Sequence, residues 1–158
     1  MHLALMPPPL RVGESQDMCS YKPDGIQALV PFLRVTGVAE FVQFAEDVLG
    51  AEVLARTAGD DGVVFYATLR FGDTAVFVQE AEASAQAAPG ELYLYVRDLH
   101  GSYRKALEAG ALSVSEPQDH YHGDRNAAVL DKWGNRWWFA NNLESLTDEQ
   151  VRERRQSQ

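Results

Sequence analysis

Apolar positions in this chain alternate with a period of two in some stretches and recur every third or fourth residue in others. The order of those stretches occurs twice. A strand-like run from Ala28 to Val35 leads into a helix over about Val38 to Leu49, whose Val38, Phe41, Phe44, Ala45 and Val48 share one face. Gly50 then suits its C-terminal cap. Strands are predicted near 51–57, 63–71 and 74–80, broken by Gly59-Asp60-Asp61-Gly62 and by Gly72-Asp73. The pattern restarts at Glu91 to Val96, followed by a helix from Asp98 to Ala109. Asp98 is its N-cap, and Leu99, Tyr103, Ala106 and Leu107 form its buried stripe. Strands near 111–115, 125–131 and 135–140 complete this unit, with Glu116 to Asp124 as a longer loop. Equivalent landmarks keep a nearly constant spacing: Val35 and Val96 are 61 residues apart, Gly50 and Gly110 60, Gly72 and Gly134 62. Such a period marks duplicated supersecondary units.

The ends differ from this repeat. Residues 1–20, with Pro7-Pro8-Pro9 and no period to bury, are expected to form a disordered extension. Residues 81–90, Ala-rich and ending in Pro89-Gly90, read as the linker between halves, with room for a short helical turn. A last helix is expected to start within Ser145 to Glu149, with acids at its N-terminus and Arg152, Arg154 and Arg155 near its end.

Composition narrows the function classes. A chain of 158 residues with 46% hydrophobic and 23% charged residues is expected to fold as one globular domain. The formal net charge of −9 argues against nucleic acid or an anionic membrane as partner, and permits a cationic ligand. The single Cys19 cannot form an internal disulfide, which fits a reducing, cytoplasmic location. Met1 to Leu10 lacks the pattern of a signal peptide. No apolar run approaches the length of a membrane span.

Two βαβββ units in one chain resemble the vicinal-oxygen-chelate superfamily, which includes glyoxalase I, extradiol dioxygenases and fosfomycin- and bleomycin-resistance proteins. Tyr21-Lys22-Pro23-Asp24-Gly25 with Val30-Pro31-Phe32-Leu33 is similar to the opening of its PhnB-like subgroup. So is Tyr121-His122-Gly123-Asp124-Arg125 followed by Asp131-Lys132-Trp133-Gly134-Asn135-Arg136-Trp137. The resemblance covers about residues 21–155. It implies an α+β fold of paired βαβββ modules, about 26–80 and 91–141, forming a curved mixed sheet around a groove, with a C-terminal helix completing residues 21–158. It also implies a homodimer.

In metal-dependent relatives the ligands stand at the start of the first strand and in the last strand of each unit. Five residues before Val35 and Val96 the positions hold Val30 and Glu91; four after Gly72 and Gly134 they hold Val76 and Trp138. Valine and tryptophan bring no lone pair to an ion. The expectation is therefore a chain with the fold and without metal or other cofactor.

Alternation along the strands then fills the groove with side chains in phase with those positions: Val30, Phe32 and Arg34; Val76 and Val78; Glu91, Tyr93 and Tyr95; Arg136, Trp138 and Ala140. The opposite phase, Leu29, Pro31, Leu33, Val35, Leu92, Leu94, Val96, Trp137 and Phe139, is apolar and suits packing under the helices. The ligand-binding candidates are Phe32, Arg34, Val76, Glu91, Tyr93, Tyr95, Arg136 and Trp138, with Glu91 also the candidate acid or base. Two alternatives stay open: the aromatics simply fill the interior, or Glu91 is spent in a salt bridge with Arg34 or Arg136. Asp119-His120-Tyr121-His122 has an H-x-H spacing compatible with a metal, or is a polar loop. Arg125 is expected to order that loop against a carboxylate. Three functions remain: a metal-free protein holding an aromatic or amphipathic small molecule, a metal-independent isomerase or cyclase using Glu91, and a metal-dependent glyoxalase or dioxygenase, which the ligand positions disfavour.

Overall fold

A computed structural model describes residues 21–82 and 87–157. Residues 1–20, with their expected disorder and Cys19, and residues 83–86 of the expected linker lie outside that description. Among the described residues the elements are β1 (Phe32–Val35), α1 (Val38–Asp47), β2 (Glu52–Ala58), β3 (Val64–Phe71), β4 (Thr74–Glu80), β5 (Glu91–Tyr95), α2 (Leu99–Glu108), β6 (Leu112–Asp119), β7 (Asp124–Leu130), β8 (Arg136–Asn142) and α3 (Asp148–Gln156). This is the α+β arrangement of two βαβββ modules. Each makes a four-stranded mixed sheet, ordered β1-β4-β3-β2 in the first and β5-β8-β7-β6 in the second. The chain divides into two compact units, one holding β1 to β4 and α1 through Glu46, the other holding β5 to β8, α2 and α3.

In the first unit β1 runs parallel to β4, while β4 with β3 and β3 with β2 are antiparallel. Leu33, Val35, Val76, Val78, Ala67 and Leu69 stand on one face by register, and all are buried. They form the first unit's core together with Val38, Phe41, Val42 and Ala45 of α1. Glu80 at the end of β4 accepts the amide N–H groups of Gly37 (2.7 Å) and Val38 (2.9 Å). A carboxylate thereby occupies the positive end of α1 and satisfies two of its free donors.

The strand expected from Ala28 begins only at Phe32, and Leu29 is 86% exposed. Pro31 has no N–H to give to a ladder. Upstream, the Gln27 side-chain amide replaces backbone pairing, donating to Ala75 O (2.6 Å) and accepting from Ala75 N (3.0 Å).

In the second unit α2 has its expected cap, Asp98 accepting from Gly101 N at 2.9 Å. A Cβ at position 101 would run into the Asp98 carboxylate, so glycine there lets Asp98 keep its capping position. The loop expected over Glu116 to Asp124 is mostly strand. β6 continues to Asp119, with register shifts between Ser113 and Gln118 that accommodate Pro117. The Arg125 guanidinium, paired with Asp119 (Nε–Oδ1 2.5 Å, Nη2–Oδ2 3.0 Å), ties the extended end of β6 to β7. Thr147 and Gln150 form a reciprocal capping box that starts α3. That helix buries no residue, and Arg154 joins it to Glu144.

The turn from β7 to β8 is organised by a buried carboxylate. Asp131 accepts from Trp133 N (2.9 Å), Asn135 N (2.8 Å), Asn135 Nδ2 (2.9 Å) and Trp137 Nε1 (2.9 Å). Asn135 Oδ1 in turn accepts Gly90 N at 2.9 Å, holding the entry of β5 beside the entry of β8. Replacing Asp131 with Ala leaves the Trp137 indole and the Asn135 amide without their acceptor. The expected loss is about 3 kcal/mol of stability in urea unfolding, against about 1 kcal/mol for Glu80→Ala at the α1 cap. Equal losses at the two positions would contradict this ranking.

Candidate functional site

Register in the second sheet lays out its helix-free face in rows. Glu91 on β5 stands beside Arg136 on β8 and Leu130 on β7; Tyr93 beside Trp138 and Ala128; Tyr95 beside Ala140 and Asn126. The opposite residues Trp137 and Phe139 are fully buried, and Leu92 and Leu94 are half-buried. Five expected site residues, Glu91, Tyr93, Tyr95, Arg136 and Trp138, therefore share one face. Tyr93 and Tyr95 remain 46% and 61% exposed, as a surface open to a ligand requires.

Glu91 is not desolvated. Its Oε1 accepts the Trp138 indole N–H at 2.8 Å and the Arg136 guanidinium at 3.3 Å, and its side chain is 58% exposed. Those two hydrogen bonds, with the Arg136 charge, hold its carboxyl below the usual carboxylate range. Of the two candidate arginines, Arg136 is thus the partner; Arg34 lies over the Phe32 ring at 5.6 Å instead. An ionised, solvated carboxylate is a poor general acid and a weak base at neutral pH.

Behind the two tyrosines lies a residue that alternation and spacing did not single out. Asp124 is buried, and its Oδ2 accepts both phenol hydroxyls, Tyr93 at 3.1 Å and Tyr95 at 2.8 Å. Its Oδ1 accepts Asn142 Nδ2 at 2.8 Å. Asn126 Nδ2 donates to the Tyr93 oxygen at 3.3 Å. Burial alone would raise the Asp124 pKa. The bonds from Asn142, Tyr95 and Tyr93, with His122 nearby (3.9 Å), outweigh it and hold the group below its ordinary value. The carboxylate in turn pushes Tyr95 up to about 12, chiefly through the shared hydrogen bond, and burial raises Tyr93. Both rings are locked as donors and meet edge to face, centroids 5.4 Å apart. The available signal for Asp124 was its position in the Gly-Asp-Arg stretch, two residues before Asn126 on the same face of one strand.

The first unit places its candidates differently. Phe32 (40% exposed) and Arg34 lie on the helix-free face, in rows with Phe77 and Thr68 and with Gln79 and Tyr66. Phe77 meets Phe32 edge-on at 6.4 Å and Tyr66 at 5.9 Å. Val76 does not belong to this face; it is 3% exposed and sits with Leu33 and Val35 in the core, as does Val78. Counting from the turn glycine misplaced it because the two hairpins differ in length. Only Gly72 and Asp73 separate the paired Phe71 and Thr74, whereas residues 131–135 separate Leu130 and Arg136. By register the counterpart of Trp138 is Phe77.

These side chains fit a divalent cation poorly. Val30 and Phe77 bring no donor atom, and Trp138 points an N–H at the Oε1 of Glu91, where a cation would need lone pairs. His120 and His122 stack at 5.3 Å. Among the described residues no three His, Cys, Asp or Glu side chains come together as a metal set.

The locked tyrosines give a pH prediction. A group whose folded pKa is raised contributes stability that is present below its unfolded value, about 10, and is lost as pH rises through the folded value. Tyr95 should therefore stay protonated to about pH 12. In Asp124→Asn it should ionise closer to the ordinary value, as read by tyrosinate absorbance after a pH jump. Identical titrations in the two proteins would contradict the shared-carboxylate arrangement.

Comparison with known proteins bears on the fold. An uncharacterized protein of Mycobacterium bovis is 27% identical over 142 residues, covering 83% of this chain and 93% of its own. An uncharacterized protein of Mycobacterium tuberculosis is equally similar, with 84% of its length covered. Among solved structures, TioX from Micromonospora sp. ML1 has a TM-score of 0.62 at 24% identity, covering 74% of this chain and 99% of its own. The bleomycin resistance determinant encoded on the transposon Tn5 has a TM-score of 0.53 at 22% identity, covering 73% and 98%. These likenesses are of fold. Residues 25–139 match the Glyoxalase/Bleomycin resistance protein/Dioxygenase superfamily, and the chain belongs to that superfamily.

Proposed function

We propose that this chain is a metal-free small-molecule-binding protein. Its ligand, aromatic or amphipathic, lies against the helix-free face of the second sheet, between the exposed rings of Tyr93 and Tyr95 and the indole of Trp138, with Glu91 as the polar anchor. The observation that carries this reading is a set of partly exposed aromatic side chains whose polar ends are already fixed. The two phenol hydroxyls are held by Asp124 and the indole N–H by Glu91. Rings immobilised before binding lose little side-chain entropy when a ligand stacks on them. Phe32 and Arg34 occupy the corresponding face of the first unit, a separate candidate surface for the same kind of ligand. The bleomycin resistance determinant among the structural neighbours supports a binding role for this fold through its name alone.

The lowered pKa of Glu91 favours binding over acid–base catalysis, because the bonds from Trp138 and Arg136 to Oε1 stabilise the ionised carboxylate. The residues at the family's ligand positions favour a metal-free site over a glyoxalase or dioxygenase centre. Placement in the PhnB-like subgroup, pairing as a homodimer and a cytoplasmic location extend the same proposal. No helix among the described residues is long and apolar enough to cross a membrane.

Two measurements check this. Elemental analysis of the purified protein is expected to find no stoichiometric zinc, iron, nickel or manganese; one such ion per chain would contradict the metal-free reading. Calorimetric titration with a panel of aromatic metabolites is expected to give ligands whose affinity falls about tenfold in Trp138→Ala, the scale of one lost aromatic stack with its burial. Ligands that bind Trp138→Ala and Glu91→Gln as tightly as wild type would place the site elsewhere.

A further inference from the structure

Resting on that reading of the second sheet's face, we infer that the ligand it selects carries an organic cation, of amidinium or substituted ammonium type, on a flat or apolar body. Three features of the face converge on positive charge. First, Oε1 of Glu91 takes both the indole and the guanidinium, so Oε2 is left as an acceptor on a side chain that is 58% exposed. A carboxylate held by one oxygen and open at the other is suited to a charged N–H donor. Second, Tyr93 and Tyr95 are 46% and 61% exposed and meet edge to face with centroids 5.4 Å apart, so a ring face left open by that contact is available to attract a cation. Third, both phenol hydroxyls donate to one buried carboxylate. At Tyr95 that bond draws the phenol proton toward Asp124 and makes the ring more electron-rich, which strengthens the attraction of its face for a cation; at Tyr93 the N–H from Asn126 on the same oxygen opposes the effect.

The charge balance of the face agrees. On β5, β7 and β8 it carries the carboxylates of Glu91 and Asp124 against the single guanidinium of Arg136, with His122 3.9 Å from Asp124. Arg125 is committed to Asp119. An anionic ligand would meet a carboxylate at its anchor point and a second one behind the rings. A neutral ligand would gain the stacking and leave Oε2 unused. The whole chain, at net charge −9, adds a long-range field of the same sign.

Benzamidine, benzamide and benzoate are planar probes of nearly one shape that differ in charge, and their binding can be followed at the Trp138 indole N–H by NMR. Benzamidine should shift that resonance with an affinity at least about fivefold above benzamide, the scale of an exposed cation–π contact plus a charged hydrogen bond. Benzoate should leave it unmoved. Glu91→Gln and Tyr95→Leu should each reduce the preference for benzamidine over benzamide. Tyr95→Phe, which keeps the ring and drops its bond to Asp124, should reduce it less than Tyr95→Leu. If benzamide and benzamidine bind equally at Trp138, the face is a binding site and the cation inference is wrong. A preference that survives both Glu91→Gln and Tyr95→Leu also overturns it. If none of the three moves Trp138, the reading of the face as a site fails with it.

Discussion

The Asp131 carboxylate takes four N–H groups from one turn, two from the backbone and two from the side chains of Asn135 and Trp137, all within 2.9 Å. An ionised group can be buried only when it is satisfied in this way, and the satisfaction has consequences along two strands. The Trp137 indole, anchored on Asp131, commits Trp137 to the core face of β8, and alternation then turns Trp138 outward. Asn135 holds the Gly90 amide, which sets β5 against β8 so that Glu91 pairs with Arg136 and Tyr93 with Trp138. The indole of Trp138 reaches Glu91 because the turn before it is fixed. The Asp-Lys-Trp-Gly-Asn-Arg-Trp sequence is therefore a folding device whose output is the position of the candidate site.

The two units solve the same packing problem with different end chemistry. In the first, Glu80 at the end of β4 caps α1; in the second, Asn141 at the corresponding place on β8 donates to Val96 O. Their helix-free faces have diverged further. The first carries Phe77 in ring contact with both Phe32 and Tyr66, with Arg34 over Phe32. The second carries two carboxylates, two exposed phenols and an indole. A duplicated architecture thus presents one face of packed aromatic rings with a cation on it and one polarised aromatic face. The chemistry able to discriminate among ligands is concentrated in the second.

Much of this was legible in the chain itself. The alternation of Leu33 and Val35 with Phe32 and Arg34, and of Leu92 and Leu94 with Tyr93 and Tyr95, assigns faces because a strand side chain has only two directions to take. The α2 cap and the salt-bridged Arg125 followed from local chemistry. Val76 was misassigned because a turn glycine marks a hairpin and not its length, and a one-residue error in register reverses a face. Asp124 escaped notice because its meaning depends on phenols about thirty residues earlier in the chain, a proximity that only the β5-β8-β7 order creates. The state of Glu91 was equally non-local. Sequence supplied the competing influences of burial and arginine, and geometry decided for the hydrogen bonds.

Where a ligand sits on this protein is read from contact. Intermolecular nuclear Overhauser effects should be measured between a bound aromatic ligand and the ring protons of the protein. They should connect the ligand to Tyr93, Tyr95 and Trp138. Contacts confined to the hollow of about 510 Å³ lined by His120, Tyr121 and Arg154, with none to those three rings, would contradict that placement.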